Sequence, residues 1–216
     1  MPRMTPEHSA ARRQQILEAA RICVLRDGFH QTSMQDIQRE AGLSAGAIYL
    51  YFKSKDDIIL GIARESLGTF ASLFPDEPVI DGEVLELPQL VQVFLAEADR
   101  LQREKQVFSI AIQVWAEAIR NPDMLDHLKV YMTAIKGRLQ ALLEACQARG
   151  LIRADADTVG LTMAIIGVGQ GFMVQRVLFG ETTLELYAAG VQSLLMNAAA
   201  VPVGSGLEHA PASEEA

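Results

Sequence analysis

The chain is poor in the residues that build secreted or catalytic sites. Two cysteines, Cys23 and Cys146, lie 123 positions apart without a CxxC pair. They argue for buried thiols in a reducing compartment rather than a disulfide. There are four histidines but no Ser/His/Asp set, no Glu-x-x-His pair, no zinc spacing and no glycine-rich phosphate loop. The expectation is a protein that is not an enzyme and carries no cofactor or metal. Asp123, Asp126 and His127 hint at a metal, but a solvated first helical turn accounts for them. Long apolar runs are missing as well. Thr158 to Gln175 is free of charge but holds four glycines, two threonines and two glutamines, and 186–207 is broken by Gln192, Asn197, Pro202 and Gly204. Neither offers the roughly 20 predominantly apolar residues of a membrane span. With no basic segment feeding an apolar one at the start, a soluble cytoplasmic protein is expected.

Strand patterns are scarce too. No Asn-Gly or Asp-Gly pair stands between β-branched runs, and Asp27-Gly28 and Asp81-Gly82 fall at a helix end and in an acidic loop. What is present has a helical period, so the expected fold is all-α with about nine helices. Ile16, Leu17, Ala20, Cys23 and Val24 make one stripe, stopped at Gly28. Ser33 and Asp36 form a capping box, and Gly42 ends that short helix. Ser44 caps a third helix over 45–52, and Ser54 with Asp57 opens a fourth through Ile58, Ile62, Leu67 and Phe70. The stretch 75–88, with five acids, reads as a solvated loop. Helices follow over about 89–103, 105–119, 122–150, 156–179 and 183–199, the third of these opened by Asn121-Pro122-Asp123. Residues 201–216, rich in Pro, Gly, Ser and Glu, read as a disordered tail.

The informative segment is 33–52, read as helix, tight turn, helix. Ile37, Ala41, Leu43, Ile48 and Tyr51 or Phe52 can form a small core between helices crossing steeply, with Gly42 freeing the turn. This geometry aims the second helix at a DNA major groove, and the free N–H groups behind Ser33 and Ser44 suit phosphate. A plain helical hairpin is the alternative. It would not usually set Tyr49 and Tyr51 beside Lys53 and Lys55. Charge supports the DNA reading. The formal net charge of −8 argues against nucleic acid only as an average. Residues 1–55 hold eight Lys or Arg against five acids, whereas the remainder holds eleven against twenty-two.

Residues 9–70 resemble the DNA-binding domain of the tetracycline-repressor (TetR) family. The resemblance rests on Arg13-Gln14-Gln15-Ile16-Leu17, Ala20, Gly28, Thr32-Ser33, Asp36-Ile37, Ala41-Gly42-Leu43-Ser44, Gly46, Ile48-Tyr49, Tyr51-Phe52, Lys53 and Lys55. It implies phosphate contacts from Thr32, Ser44, Tyr49, Tyr51 and Lys55, with Ser33 and Gln35 on the same surface. Ala45, Gly46, Ala47 and Leu50 would face base edges. Ala45, Ala47 and Leu50 stand where many members carry polar or basic residues, which points to apolar contact with thymine methyls and to DNA shape. Gln38 stands where a small residue is common. Arg3, Arg12 and Arg13 could add phosphate contacts.

Residues 71–200 would then form a ligand-binding and dimerisation domain. Val159, Met163, Ile166, Gln170, Met173 and Val177 form one stripe and Leu184, Tyr187, Val191, Leu194 and Ala198 another, candidates for a homodimer contact between the last two helices. Gly160, Gly167, Gly169 and Gly171 would admit close backbone approach. Trp115, Met124, His127, Tyr131, Met132, Gln170 and Met173 are the candidate pocket residues. The expectation is a ligand-responsive homodimeric repressor, released from a palindromic operator by a small lipophilic effector. Its partners would be operator DNA, the effector and a second copy, with no membrane. In a bacterial cytoplasm it would join the nucleoid when bound. A bundle enzyme, or a helical small-molecule-binding protein with a vestigial helix-turn-helix, is the competing reading.

Overall fold

The computed structural model describes residues 6–72 and 74–197, so Arg3, Ala198 and the tail over 201–216 lie outside the described residues. Among them are nine helices and one short ribbon: α1 (Pro6–Asp27), α2 (Met34–Ala41), α3 (Ala45–Tyr49), α4 (Lys55–Ser72), β1 (Val79–Ile80), β2 (Glu83–Val84), α5 (Leu87–Lys105), α6 (Val107–Ala118), α7 (Pro122–Ala148), α8 (Thr158–Leu178) and α9 (Leu184–Asn197). The fold is all-α, with starts and stops where the caps stand. Gly28 (φ 84°) and Gly42 (φ 62°) take the left-handed conformation that ends α1 and α2. Asn121 caps α7 by accepting from the Met124 N–H at 3.2 Å. The third helix is shorter than the spacing predicts. It ends at Tyr49, and the chain turns through 50–51 on Tyr51 N–H and Phe52 N–H bonds to Ile48 O.

The acidic loop needs correction. Asp81 (φ 52°) and Gly82 (φ 84°) are both left-handed, the geometry of a two-residue hairpin turn. They pair Val79 with Val84 and Ile80 with Glu83. β-branched residues flank the turn in the sequence, but only Val79 and Ile80 before it and Val84 after it, among acids.

Three apolar clusters hold the molecule. The first joins Ile16, Leu17, Ile37, Ile48, Phe52, Ile58 and Ile62 to Ile110, Val114 and Ala118 of α6 and to Met124 of α7. It therefore does not stop at the end of α4. The second gathers Phe108, Phe172, Met173 and Val191 with neighbours on α5, α6, α8 and α9. The third packs Leu90 against Leu139, Leu142, Leu143 and Cys146. Asp99 of α5 is buried and accepts from Arg103 and, at 3.2 Å, from Arg176 Nε of α8. A buried carboxylate stands only when paired, so this contact ties α8 to α5. By length and composition α8 could cross a membrane; Phe172, Met173 and the Asp99–Arg176 pair place one of its faces in the bundle.

Candidate nucleic-acid interface and apolar cavity

The helix-turn-helix is held by its caps. Ser33 Oγ accepts from the Asp36 N–H at 3.2 Å while Asp36 Oδ2 accepts from the Ser33 N–H at 3.0 Å. The Ser33 hydroxyl and backbone bonds hold the Asp36 carboxyl below its usual range. Leu43 N–H and Gly42 N–H close the turn on Gln38 O and Arg39 O. Ser44 Oγ accepts from the Ala47 N–H at 3.3 Å and starts α3. Ile48 is buried on its inner face, while its outer face shows Ala45, Gly46, Tyr49 and Leu50, the last 77% exposed. Gln35 is exposed on α2, Gln38 is half-buried, and Tyr51 and Ala47 are half-buried beside them.

Two of the expected phosphate-contacting residues also make bonds within the chain. Thr32 is buried, and its hydroxyl donates to Gly28 O at 2.9 Å, because the turn after α1 folds back on itself. Lys55 Nζ donates to Phe29 O at 3.0 Å and lies 4.5 Å above the Phe29 ring, so one of its donors is committed within the chain. Arg13 similarly stacks on Phe52, at 5.0 Å, and Arg12 donates to Gln15 at 2.8 Å.

That turn, Gly28-Phe29-His30, is gripped from the other side by α6. Gln113 Oε1 accepts from the Phe29 N–H at 2.8 Å and Gln113 Nε2 donates to Val24 O at 3.4 Å. His30 Nε2 lies 3.2 Å from Glu117 Oε2. Sequence reading missed these residues. The available signal was Gln113, a lone amide amid Ile110, Ala111, Ile112, Val114 and Trp115.

The candidate pocket residues separate. Trp115, Met132, Gln170 and Met173 line an apolar cavity of about 140 Å³, with Phe70, Phe108, Ala111, Ile135, Ile166 and Gly169. Met124 and His127 instead border a polar cleft of about 460 Å³ where α4 meets α7, with Asp56, Asp57 and Asn121. Met124 faces the first core because α7 begins against α4. Tyr131 lines neither space, being half-buried between them on α7. No group of three or more His, Cys, Asp or Glu able to hold a metal occurs among the described residues. Burial pushes the Cys23 and Cys146 thiols up.

The last two helices also split their stripes. Met173 and Val191 are buried within the chain, and Tyr187 donates to Val168 O at 2.8 Å. Val159, Met163, Leu178, Phe179, Leu186, Leu194 and Met196 remain exposed. Of the glycines, Gly171 admits the Tyr187 hydroxyl, which a Cβ would meet at 2.9 Å, whereas Gly167 and Gly169 face open space.

A capped helix-turn-helix on an all-α body with an apolar cavity among its helices defines a helix-turn-helix regulator fold. The profile "Bacterial regulatory proteins, tetR family" matches residues 16–62, and "BetI-type transcriptional repressor, C-terminal" matches 88–198. The chain is 30% identical over 198 residues to the transcriptional repressor AcnR of Corynebacterium diphtheriae, covering 89% of this chain and 98% of that one. A match of 35% identity to a transcriptional repressor of Mycobacterium tuberculosis runs over 80 residues, 37% of this chain and 43% of the relative. The chain thus spans less than half of that relative. The regulator FadR of Bacillus subtilis, solved in complex with stearoyl-CoA, shares the fold with a TM-score of 0.71 at 21% identity, over 84% of this chain and 96% of that one. The chain belongs to the TetR family.

Proposed function

We propose that the protein is a homodimeric transcriptional repressor that binds a palindromic operator and is released by a lipophilic effector in the apolar cavity. The observation that carries the reading is the double role of α6. One face of this helix supplies Phe108, Ala111 and Trp115 to the cavity, and the opposite side supplies Gln113 and Glu117 to the turn that precedes the helix-turn-helix. A ligand that displaces α6 acts directly on the seating of the reading head. Its effect on DNA is the difference between its affinities for the two seatings.

Tyr49, Leu50, Ala45, Gly46 and Ala47 form the surface toward base edges and sugar-phosphate, with Ser33, Gln35, Ser44, Tyr51 and Lys55 around it. Lys55 keeps donors beyond the one given to Phe29 O. Residues 9–70 act as the DNA-binding unit and 71–200 as the effector and dimerisation unit. The exposed apolar residues of α8 and α9, apart from Met163 beside the α7–α8 groove, cover those of a second copy, with Gly167 allowing close approach. Two reading heads then meet successive major grooves about 34–36 Å apart. FadR of Bacillus subtilis was solved in complex with stearoyl-CoA, and the uncharged lining of the cavity here supports an effector of lipophilic type. Gel shift of the DNA upstream of the gene tests the reading. Retarded complexes that dissolve with a lipophilic compound are expected, and absence of sequence-preferring retardation would overturn it.

A further inference from the structure

We propose that the effector is an anionic amphiphile, its tail in the cavity beside Trp115 and its charged head between Lys129 and Lys136 at the cavity's mouth. The inference rests on reading the cavity as the effector site. The cavity lining contains no ionisable side chain, so a charge placed there would lose its hydration without gaining a partner. The cavity does not end inside the bundle, however. Met132, Ile166 and Gln170 also line a groove of about 350 Å³ between α7 and α8. The groove adds Lys129 and Lys136, which lie seven residues apart and so on one face of α7, and no carboxylate lines it. Asp126 accepts from Lys129 Nζ at 2.8 Å, an exposed pair of little strength that occupies one of three donors. A carboxylate or phosphate head at this groove meets positive potential and charge-assisted donors, while its tail fills the apolar cavity.

At its other end the cavity adjoins a void of about 30 Å³ through Phe70, Ala111 and Trp115, where Ser66 Oγ of α4 is buried without a hydrogen-bond partner. The path therefore runs from a cationic groove to the helix that follows the reading head. A tail entering from the groove arrives at both α6 and α4.

Trp115 is the chain's one tryptophan, so its fluorescence reports occupancy without DNA. Decanoate, decanoyl-CoA and decanol are titrated into the full chain and into the double variant K129Q/K136Q, whose helical content is checked by circular dichroism. At least one of the two anions should quench Trp115 saturably and more tightly than decanol. The double variant should weaken that anion by about fivefold or more while moving decanol by less than about twofold, the sum expected of two exposed charge contacts. Whichever anion binds more tightly identifies the head as carboxylate or phosphate. Decanol binding as tightly as both anions, or anion binding unchanged in the double variant, would overturn the proposal. An anion that quenches Trp115 and depends on the lysines, yet leaves the gel shift unaltered, keeps this site and overturns the effector reading instead.

Discussion

Leu50, 77% exposed at the C-cap of the short third helix, is the residue whose placement most constrains how DNA would be read. An exposed leucine flanked by Ala45 and Ala47 has no donor for a base edge, and the partner it suits is the thymine methyl. Replacing operator thymines by uracil should weaken binding by about tenfold for a pair of lost methyl contacts, in the range of a poorly matched base pair. Unaltered affinity in an anisotropy titration would count against apolar readout. Gly61 carries a different constraint. A Cβ there would meet Leu17 Cδ2 at 2.8 Å and the Phe52 ring at 3.2 Å, since α4 crosses α1 at close range. Gly61→Val should therefore cost about 1–3 kcal/mol by overpacking, read as a lower midpoint in urea. A lone glycine in a helical pattern gave no hint of this contact. The burial of Thr32 was hidden for a related reason: its neighbourhood is set by the fold-back of the 28–32 turn, a backbone event that side-chain type does not encode.

Among the elements, α6 has the most to explain. Its apolar composition made it legible as a buried helix, and Trp115 as a cavity residue, because periodicity reports which face meets the core. What periodicity leaves out is which neighbour each face meets, so Gln113 stood out as a lone amide but its bonds to Phe29 and Val24 did not show. Gln113→Leu keeps the volume and removes both hydrogen bonds, leaving the Phe29 N–H without this partner. The variant should retain quenching of Trp115 by effector but lose at least half of the effector's influence on DNA affinity, measured by gel shift at fixed salt. Full coupling in the variant would show that α6 acts on the reading head by packing alone, through Ile110 and Val114. The capping residues tell the opposite story about legibility. Ser33, Asp36, Gly42, Ser44 and Asn121 were read correctly because caps are local chemistry. The Asp81-Gly82 hairpin failed because two-residue strands carry too little pattern to register.

For the whole molecule, the decisive feature is the apolar surface left on α8 and α9. Val159, Met163, Leu178, Phe179, Leu186, Leu194 and Met196 are too many large exposed residues on adjacent elements for a surface that faces only water. The sequence marked these helices as unusual, but its stripes mixed residues that close the chain's own core, such as Met173 and Val191, with those that do not. Leu194→Glu, 71% exposed in the single chain, should leave the protomer folded and shift sedimentation toward a monomer, with operator affinity falling by about 100-fold or more as one half-site is lost. A dimer that survives the change would move the interface elsewhere. The acidic body acquires a role at this scale too. With the basic surplus confined to residues 1–55, an acidic body would repel DNA and so favour docking through the helix-turn-helix.

Binding of one operator by two reading heads, through sugar-phosphate contacts and an apolar helix face, is open to direct measurement. The most direct measurement is an anisotropy titration of a labelled duplex carrying the inverted repeat upstream of the gene, repeated across a salt series, with stoichiometry from sedimentation. The expected result is two chains per operator or a multiple of two, a linear fall of log affinity with log salt, and binding much tighter than to a scrambled duplex. One chain per duplex, or equal affinity for both duplexes, would contradict it.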